Sequence, residues 1–315
     1  MNRRQLKVFS VVAESGSIAA AARLLCLTQP AVTKTIRDLE EESGVALLSR
    51  ESSGVSLTGN GERLLTRARL ILREFELVEN EMAILRGEPG GQLRIGLCPV
   101  ASVHVVPLAM ERFVQNMPHV ALNIVELDHM RLVNGVRSGD LDIAVANFPI
   151  WSGNPFVAAK DLVTLPTMFA TRRGSRFESS TSLPEVEDAT WLHGDGTEAL
   201  SQYLAGLFEA NGLAPPPPAK LIKCTSSMVA KRILENHDVI FLLPWSFLRM
   251  LPDHLFCQVR LPFTPPDYKL VLLTREGSYP SDPATCFLRC LQEVVGFDQD
   301  ASRSSCSQGA DSRER

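Results

Sequence analysis

The 315-residue chain has no apolar run of membrane-spanning length, no CxxC pair and no excess of positive charge. Its start, MNRRQLKVFSVVAESGS, carries only a short apolar run, broken by Glu14, and no cleavage pattern, so no export signal is expected. Net charge is −4, so a nucleic-acid surface would have to be local. The first 60 residues hold seven Lys/Arg against six Asp/Glu, so even there any positive surface must come from placement. The seven cysteines, at 26, 98, 224, 257, 286, 290 and 306, are odd in number and scattered. That pattern predicts a reducing, cytoplasmic setting and no metal site, with thiols that are buried or incidental. No nucleophile elbow and no Gly-rich phosphate loop occur, and the six histidines are dispersed away from any Ser or Cys nucleophile. Neither catalysis nor a cofactor is expected. What remains is a composition of 45% hydrophobic and 22% charged residues, which is that of a globular protein long enough for two or three domains.

The stretch TQPAVTKTIRDLEEESG at 28–44 is the most informative. Thr28 suits an N-cap, Gln29 opens a helix, and Pro30 falls in its first turn, where a missing N–H costs nothing. Val32, Ile36 and Leu39 recur at i, i+4, i+7 and form one buried stripe, while Gly44 ends the helix. Pro30, Thr33, Lys34, Arg37 and Glu41 fall on another face. Such groups can pair with base edges and phosphates. Taken alone, the same helix reads more readily as a solvated face.

The flanks decide between the two. Residues 4–15 have helical spacing closed by Gly16, and Ser17 caps a second helix over 18–25 that contains four consecutive alanines. Small residues allow a close, steep crossing, and only Cys26-Leu27 separates this helix from Thr28. Helix, tight turn, helix is a groove-reading arrangement. Residues 45–48 and 55–57 predict a two-stranded wing with a polar tip, placing Arg50 near phosphate.

From about 61 to 86 a long helix is predicted. Leu64, Ala68, Ile71, Phe75, Val78, Met82 and Leu85 follow a heptad seam, which predicts a partner helix from a second copy. Packing against the chain's own next domain is the alternative. GEPGG at 87–91 is a linker. Beyond it strands and helices alternate: strands at 93–97, 120–127 and 141–146 with helices at 103–116 and 131–138. A second set has strands at 162–170, 190–192, 221–224 and 239–243 with helices at 198–211 and 228–235, followed by a strand at 269–274 and a helix at 283–295. Repeated β-α-β predicts mostly parallel sheets in two lobes with a cleft between them. Residues 298–315 have no apolar pattern and are expected to be a disordered tail.

The order of parts resembles the LysR-type transcriptional regulator family over residues 1 to about 297. The most specific portion is AESGSIAAAARLLCLTQPAVTKTIRDLEEESGVALLSR at 13–50, with GVSLTGNG at 54–61. RIGLCP at 94–99, SGDLDIAVA at 138–146 and TSSMVAKRILENHDVIFLLP at 225–244 match more loosely. The resemblance implies an N-terminal all-α winged helix-turn-helix at 1–58 and a dimerising linker helix at 59–88. It further implies an α/β effector domain at 89–297, two-lobed like periplasmic binding proteins. Lobe I would span about 91–160 and 268–297, and lobe II about 161–267. It also implies double-stranded promoter DNA, RNA polymerase and a small-molecule effector as partners, and self-association as a dimer or homotetramer. DNA-contacting positions carried over are Ser17, Thr28, Gln29, Pro30, Ala31, Thr33, Lys34, Arg37 and Arg50.

Ligands of doubly wound sheets bind beyond the carboxyl ends of strands, near helix N-termini. Those ends are 98–102, 128–129, 146–148 and 224–226, which makes Val100, Ala101, Ser102, His129, Asn147, Phe148, Thr225 and Ser226 the candidate effector residues. In the family a Ser or Thr often stands at the first two sites. Here Val100 and His129 stand there instead, with Ser102 as a possible substitute. Hydroxyls and helix N–H groups suit the acid group of a small organic acid, and Val100 and Phe148 suit an apolar body. His129 reads as a charge partner, a pH-sensitive element or a structural histidine. A redox pair of Cys98 and Cys224 lacks a neighbouring base to lower either pKa. Three rival readings are an enzyme, an exported transport-binding protein and a ligand-independent DNA architectural protein. The first lacks a catalytic constellation. The second lacks a signal and does not explain the N-terminal third, and the third does not need a cleft.

Overall fold

The computed structural model describes residues 1–310 except 52–53, 87–89, 104, 148–154, 195–198, 249–250 and 253. These residues form two compact units, one of residues 1–91 with 137–141, the other of 92–136 with the chain from 142 onward.

The first unit is built from α1 (Arg3–Ser15), α2 (Ile18–Leu24), α3 (Gln29–Ser43), the hairpin β1 (Leu48–Glu51) and β2 (Gly54–Leu57), and α4 (Gly59–Leu85). Asn2 and Gln5 close a capping box at the start of α1. Phe9 and Val12 of α1, Ala21 of α2 and Val32 and Leu39 of α3 are fully buried in one core with Ala68 of α4. The first β-strand lies three residues later than the apolar run at 45–48 suggests. Leu47 is core, and its N–H and that of Leu48 donate to the Glu40 carboxylate at 2.7 and 3.1 Å. The strand therefore starts only after that anchor.

The second unit holds β3 (Gln92–Leu97), α5 (Val105–Asn116), β4 (Ala121–Glu126), α6 (His129–Ser138, in part), β5 (Ile143–Asn147), β6 (Val157–Leu165), β7 (Thr167–Arg172), β8 (Thr190–His193), α7 (Ala199–Ala210), β9 (Leu221–Lys223), α8 (Ser227–Asn236), β10 (Val239–Pro244), α9 (Trp245–Leu248), β11 (Phe256–Val259), β12 (Tyr268–Arg275) and α10 (Asp282–Ala310). Two five-stranded sheets form, ordered β4-β3-β5-β12-β6 and β11-β7-β10-β8-β9. Each contains three parallel strands, β4, β3 and β5 in one and β10, β8 and β9 in the other. The remaining strands pair antiparallel.

Three expectations need correction. The apolar run at 162–170 is not one strand but two. β6 pairs with β12 in the first sheet and β7 with β10 in the second. Pro166 lies between them, and a residue without an N–H cannot continue a ladder. The lobe boundary is therefore at Pro166 rather than near 160. The return crossing meets it: Thr167 Oγ1 donates to the Pro266 carbonyl at 2.9 Å and Thr167 N to Asp267 Oδ1 at 3.3 Å. Second, β11 supplies an edge strand that the sequence reading lacks. Third, the expected disordered tail begins as helix, because α10 continues through residue 298 to Ala310.

The cores are aromatic at their centres. Trp191 packs edge-on between Phe169 and Phe208, with ring centroids 5.4 and 6.1 Å away, and Phe113 of α5 meets Phe287 of α10 at 6.0 Å.

Candidate functional site

The N-terminal site is the exposed face of α3. Thr28 Oγ1 accepts from Ala31 N at 3.4 Å and caps the helix, while Ser17 Oγ does the same for α2 from Ala20 N at 3.4 Å. Thr28, Gln29, Pro30, Lys34 and Arg37 are exposed, and Ser17, Ala31 and Thr33 are half-buried. The opposite stripe, Val32, Ile36 and Leu39, is buried. Orientation is thus fixed by burial, and the polar groups are left on the outer side. The acidic end of the helix is structural. Glu40 holds the wing backbone, and Glu42 accepts from Gln5 Nε2 at 2.9 Å. Arg37 Nε donates to Glu41 at 2.8 Å, an exposed pair that a phosphate can displace at little cost. Arg50 lies in β1 opposite Val55.

Backbone contacts also tie the wing to the rest of the unit. Val55 N donates to the Gly16 carbonyl at 2.9 Å. Gly54, at φ 145, passes so close that a Cβ there would sit 2.5 Å from the same oxygen. Only glycine allows that approach.

The turn between α2 and α3 is a Schellman motif. Leu27 N donates to Ala22 O at 2.9 Å and Cys26 N to Arg23 O at 3.2 Å. Its left-handed position, usually glycine, is Cys26, at φ 54. The thiol residue holds a conformation that disfavours a Cβ. Cys26→Gly is therefore expected to raise the stability of the unit by roughly 1 kcal/mol. A higher midpoint in urea unfolding followed by circular dichroism checks it, and a lowered midpoint would sink it.

The linker seam divides. Ala68 is fully buried in the first unit's own core, and Leu64 packs against that core, so these two do not await a partner. Ile71, Phe75, Val78, Met82 and Leu85 are exposed. Arg3 stacks over the Phe75 ring, with its guanidinium carbon 5.1 Å from the centroid, and pairs with Glu79.

The second unit contains a cavity of about 610 Å³, lined by Cys98–Val100, Glu126–Arg131, Ala146, Asn147, Gly194 and Thr225. It lies at the carboxyl ends of β3, β4 and β5 and reaches two residues of the second sheet's lobe. Of the expected residues, Val100, His129, Asn147 and Thr225 line it. Ala101 is buried and is not in the wall, and Phe148 falls outside the described residues. Ser102 and Ser226 are otherwise engaged. Ser102 Oγ lies 2.8 Å from both the Pro99 carbonyl and Glu126 Oε2, and Ser226 Oγ caps α8 by accepting from Val229 N at 3.5 Å.

Sequence reasoning missed Glu126, Asp128 and Arg131 because it searched for hydroxyls. A count of charges at the end of each predicted strand would have found them. Asp128 caps α6, accepting from Arg131 N at 2.9 Å, and its other oxygen faces Arg131 Nε at 3.3 Å. His129 has both ring nitrogens buried without a hydrogen-bond partner among the described residues, and burial lowers its pKa from the ordinary value. Burial pushes the Cys98 thiol up to about 11. At pH 8 about one thiol in a thousand is then ionised. A thiol reagent at that pH should label exposed Cys26 and leave Cys98 unmodified, as read by peptide mass spectrometry. Rapid labelling of Cys98 in the folded protein would restore it as a redox candidate.

A winged helix-turn-helix joined to a two-lobed α/β unit with a cavity at its strand ends defines a DNA-binding protein with a ligand-sensing domain. Comparison with known proteins gives the family. Residues 3–62 match the model of the bacterial regulatory helix-turn-helix protein, lysR family, and residues 86–296 match the LysR substrate binding domain. The chain belongs to the LysR family of transcriptional regulators. It is 25% identical to the HTH-type transcriptional regulator PcaQ of Agrobacterium fabrum over 93% of this chain and 94% of that one. It is 38% identical to the probable HTH-type transcriptional regulator LrrA of Synechococcus elongatus, over 47% of this chain and 51% of the relative. Among solved structures, CbnR aligns with TM-score 0.64 at 21% identity over 94% of this chain and 99% of that one. Full-length OxyR from Pseudomonas aeruginosa aligns with TM-score 0.67 at 19% identity over 94% of each. The relatives are regulators, and this chain is a regulator rather than an enzyme. Among the described residues no helix is long and apolar enough to cross a membrane.

Proposed function

We propose that this regulator reads promoter DNA through the exposed face of α3 and the wing, and that a small organic acid in the strand-end cavity switches that binding. Gln29 is suited to pair bidentately with adenine and Ala31 to touch a thymine methyl, while Lys34, Arg37 and Arg50 neutralise phosphates. Ser17, Thr28, Pro30 and Thr33 complete the contact surface. Self-association through Ile71 to Leu85 pairs two readers on a two-fold site, with a tetramer as the further step. RNA polymerase is the partner that promoter binding serves, in the cytoplasm.

One observation carries the ligand half of this reading. The cavity gathers Arg131, Asn147 and Thr225, a guanidinium, an amide and a hydroxyl, in one wall system of ligand size. Those are the donors a carboxylate needs. Fluorescence anisotropy on operator DNA with the full chain tests both halves. Gln29→Ala is expected to relax preference at one base pair by about 1–3 kcal/mol while non-specific binding stays unchanged. An unaltered preference removes Gln29 from the groove. Anisotropy that no small acid changes removes the acid.

A further inference from the structure

The cavity also carries negative charge that a simple acid leaves unanswered. Its wall carries two carboxylates, Glu126 and Asp128, against one guanidinium, Arg131. A monoanion would add a negative charge to an already negative wall. Hydroxyls that might have received an acid are turned elsewhere: Ser102 toward Glu126 and Pro99, Ser226 to the cap of α8. Glu126 is exposed to the cavity, and its oxygen Oε2 is 2.8 Å from Ser102 Oγ, a contact that orients the carboxylate without neutralising it. His129, also in the wall, has two buried ring nitrogens with no partner among the described residues. Beside this polar region lies a second cavity of only about 30 Å³, room for a methyl or two, that shares four wall residues with the first, Val100 and Thr225 among them, and is walled by Val103, Phe241 and Tyr268.

We infer that the effector is a zwitterion, an α-amino acid with a small apolar side chain. Its ammonium faces Glu126, its carboxylate faces Arg131 and Thr225, and its side chain enters the apolar recess. This rests on the reading of the cavity as the effector site and sharpens the acid into an amino acid. A zwitterion leaves the net charge of the wall unchanged. Selection against the plain acid then comes from the charge of Glu126, which a carboxylate without an ammonium would face unneutralised.

The test uses the full chain, calorimetry and three matched series. These are L-alanine, L-2-aminobutyrate and L-valine, the same skeletons without the amine, and the same skeletons without the carboxylate. The expected result is that at least one amino acid binds about tenfold or more tighter than its deaminated acid. Glu126→Gln should erase that preference by weakening the amino acid while leaving the acid unchanged or stronger. Unliganded melting should match the parent, because Glu126 is exposed. If a deaminated acid binds as tightly as its amino acid, and Glu126→Gln only strengthens it, the zwitterion is overturned and the organic acid stands. If the bare amine binds best, or no member of any series binds, both readings fall.

Discussion

Gly61→Ala is expected to abolish DNA binding while leaving the ligand-sensing unit folded. Gly61 is buried at the third position of α4, and Thr58 caps that helix: Gly61 N donates to Thr58 Oγ1 at 3.0 Å. A Cβ on Gly61 would fall inside the van der Waals envelope of the Leu47 carbonyl oxygen. That oxygen cannot retreat freely, because Thr58 N donates to it at 3.0 Å, and the Leu47 N–H is held by Glu40. Helix propensity favours alanine over glycine by about 1 kcal/mol. A collision with fixed backbone costs about 3 kcal/mol or more, so the clash wins and the start of α4 must shift. The shift would reach Leu47 and the wing that follows it. Gly59→Ala is the internal control. Nothing lies within 4 Å of its added Cβ, so it should be neutral or slightly stabilising. Operator anisotropy and urea unfolding of both variants check the pair. A Gly61→Ala protein that binds operator like the parent would show that this junction yields more easily than its hydrogen bonds indicate.

What could be read from sequence tracks how local the physics is. The buried stripe of α3 was legible because Val32, Ile36 and Leu39 lie on one helical turn repeat, and their burial needs only some core to exist. The Thr58 to Gly61 segment was legible as a motif, but its reason was not. That reason is a backbone approach to Leu47, which no side-chain pattern reports. Pro166 was missed as a boundary because apolar residues run on both sides of it, each set serving a different sheet. Leu64 and Ala68 continued the heptad spacing faithfully, yet they belong to the core under α1, since spacing shows which face is apolar and not what covers it. The strand-end rule and the cavity wall share Val100, His129, Asn147 and Thr225. Glu126 and Asp128 were not among the candidates because they come to face one space only when β4 lies at its place beside β3.

The same division of α4 sets the second large effect. Val78→Asp should convert a self-associating protein into one whose dimer dissociates at least ~100-fold more readily, about 3 kcal/mol. Val78 is 52% exposed, so the change removes little from the folded unit, and the helix-propensity loss is a few tenths of a kcal/mol. Leu85, at 77%, is more exposed but sits at the helix end, where fraying weakens any inference. Phe75 is a poorer choice because Arg3 stacks on its ring and a substitution would disturb α1 as well. Across a two-fold seam a single substitution introduces two carboxylates, and each would be desolvated against the apolar stripe of the other copy. Sedimentation at micromolar concentration should show the loss of mass. Binding to a two-half-site operator should fall far more than binding to one half-site, since each reader helix remains intact and only their coupling is gone. If Val78→Asp sediments as the parent and keeps its preference for paired half-sites, the exposed stripe from Ile71 to Leu85 is covered by something other than a second copy.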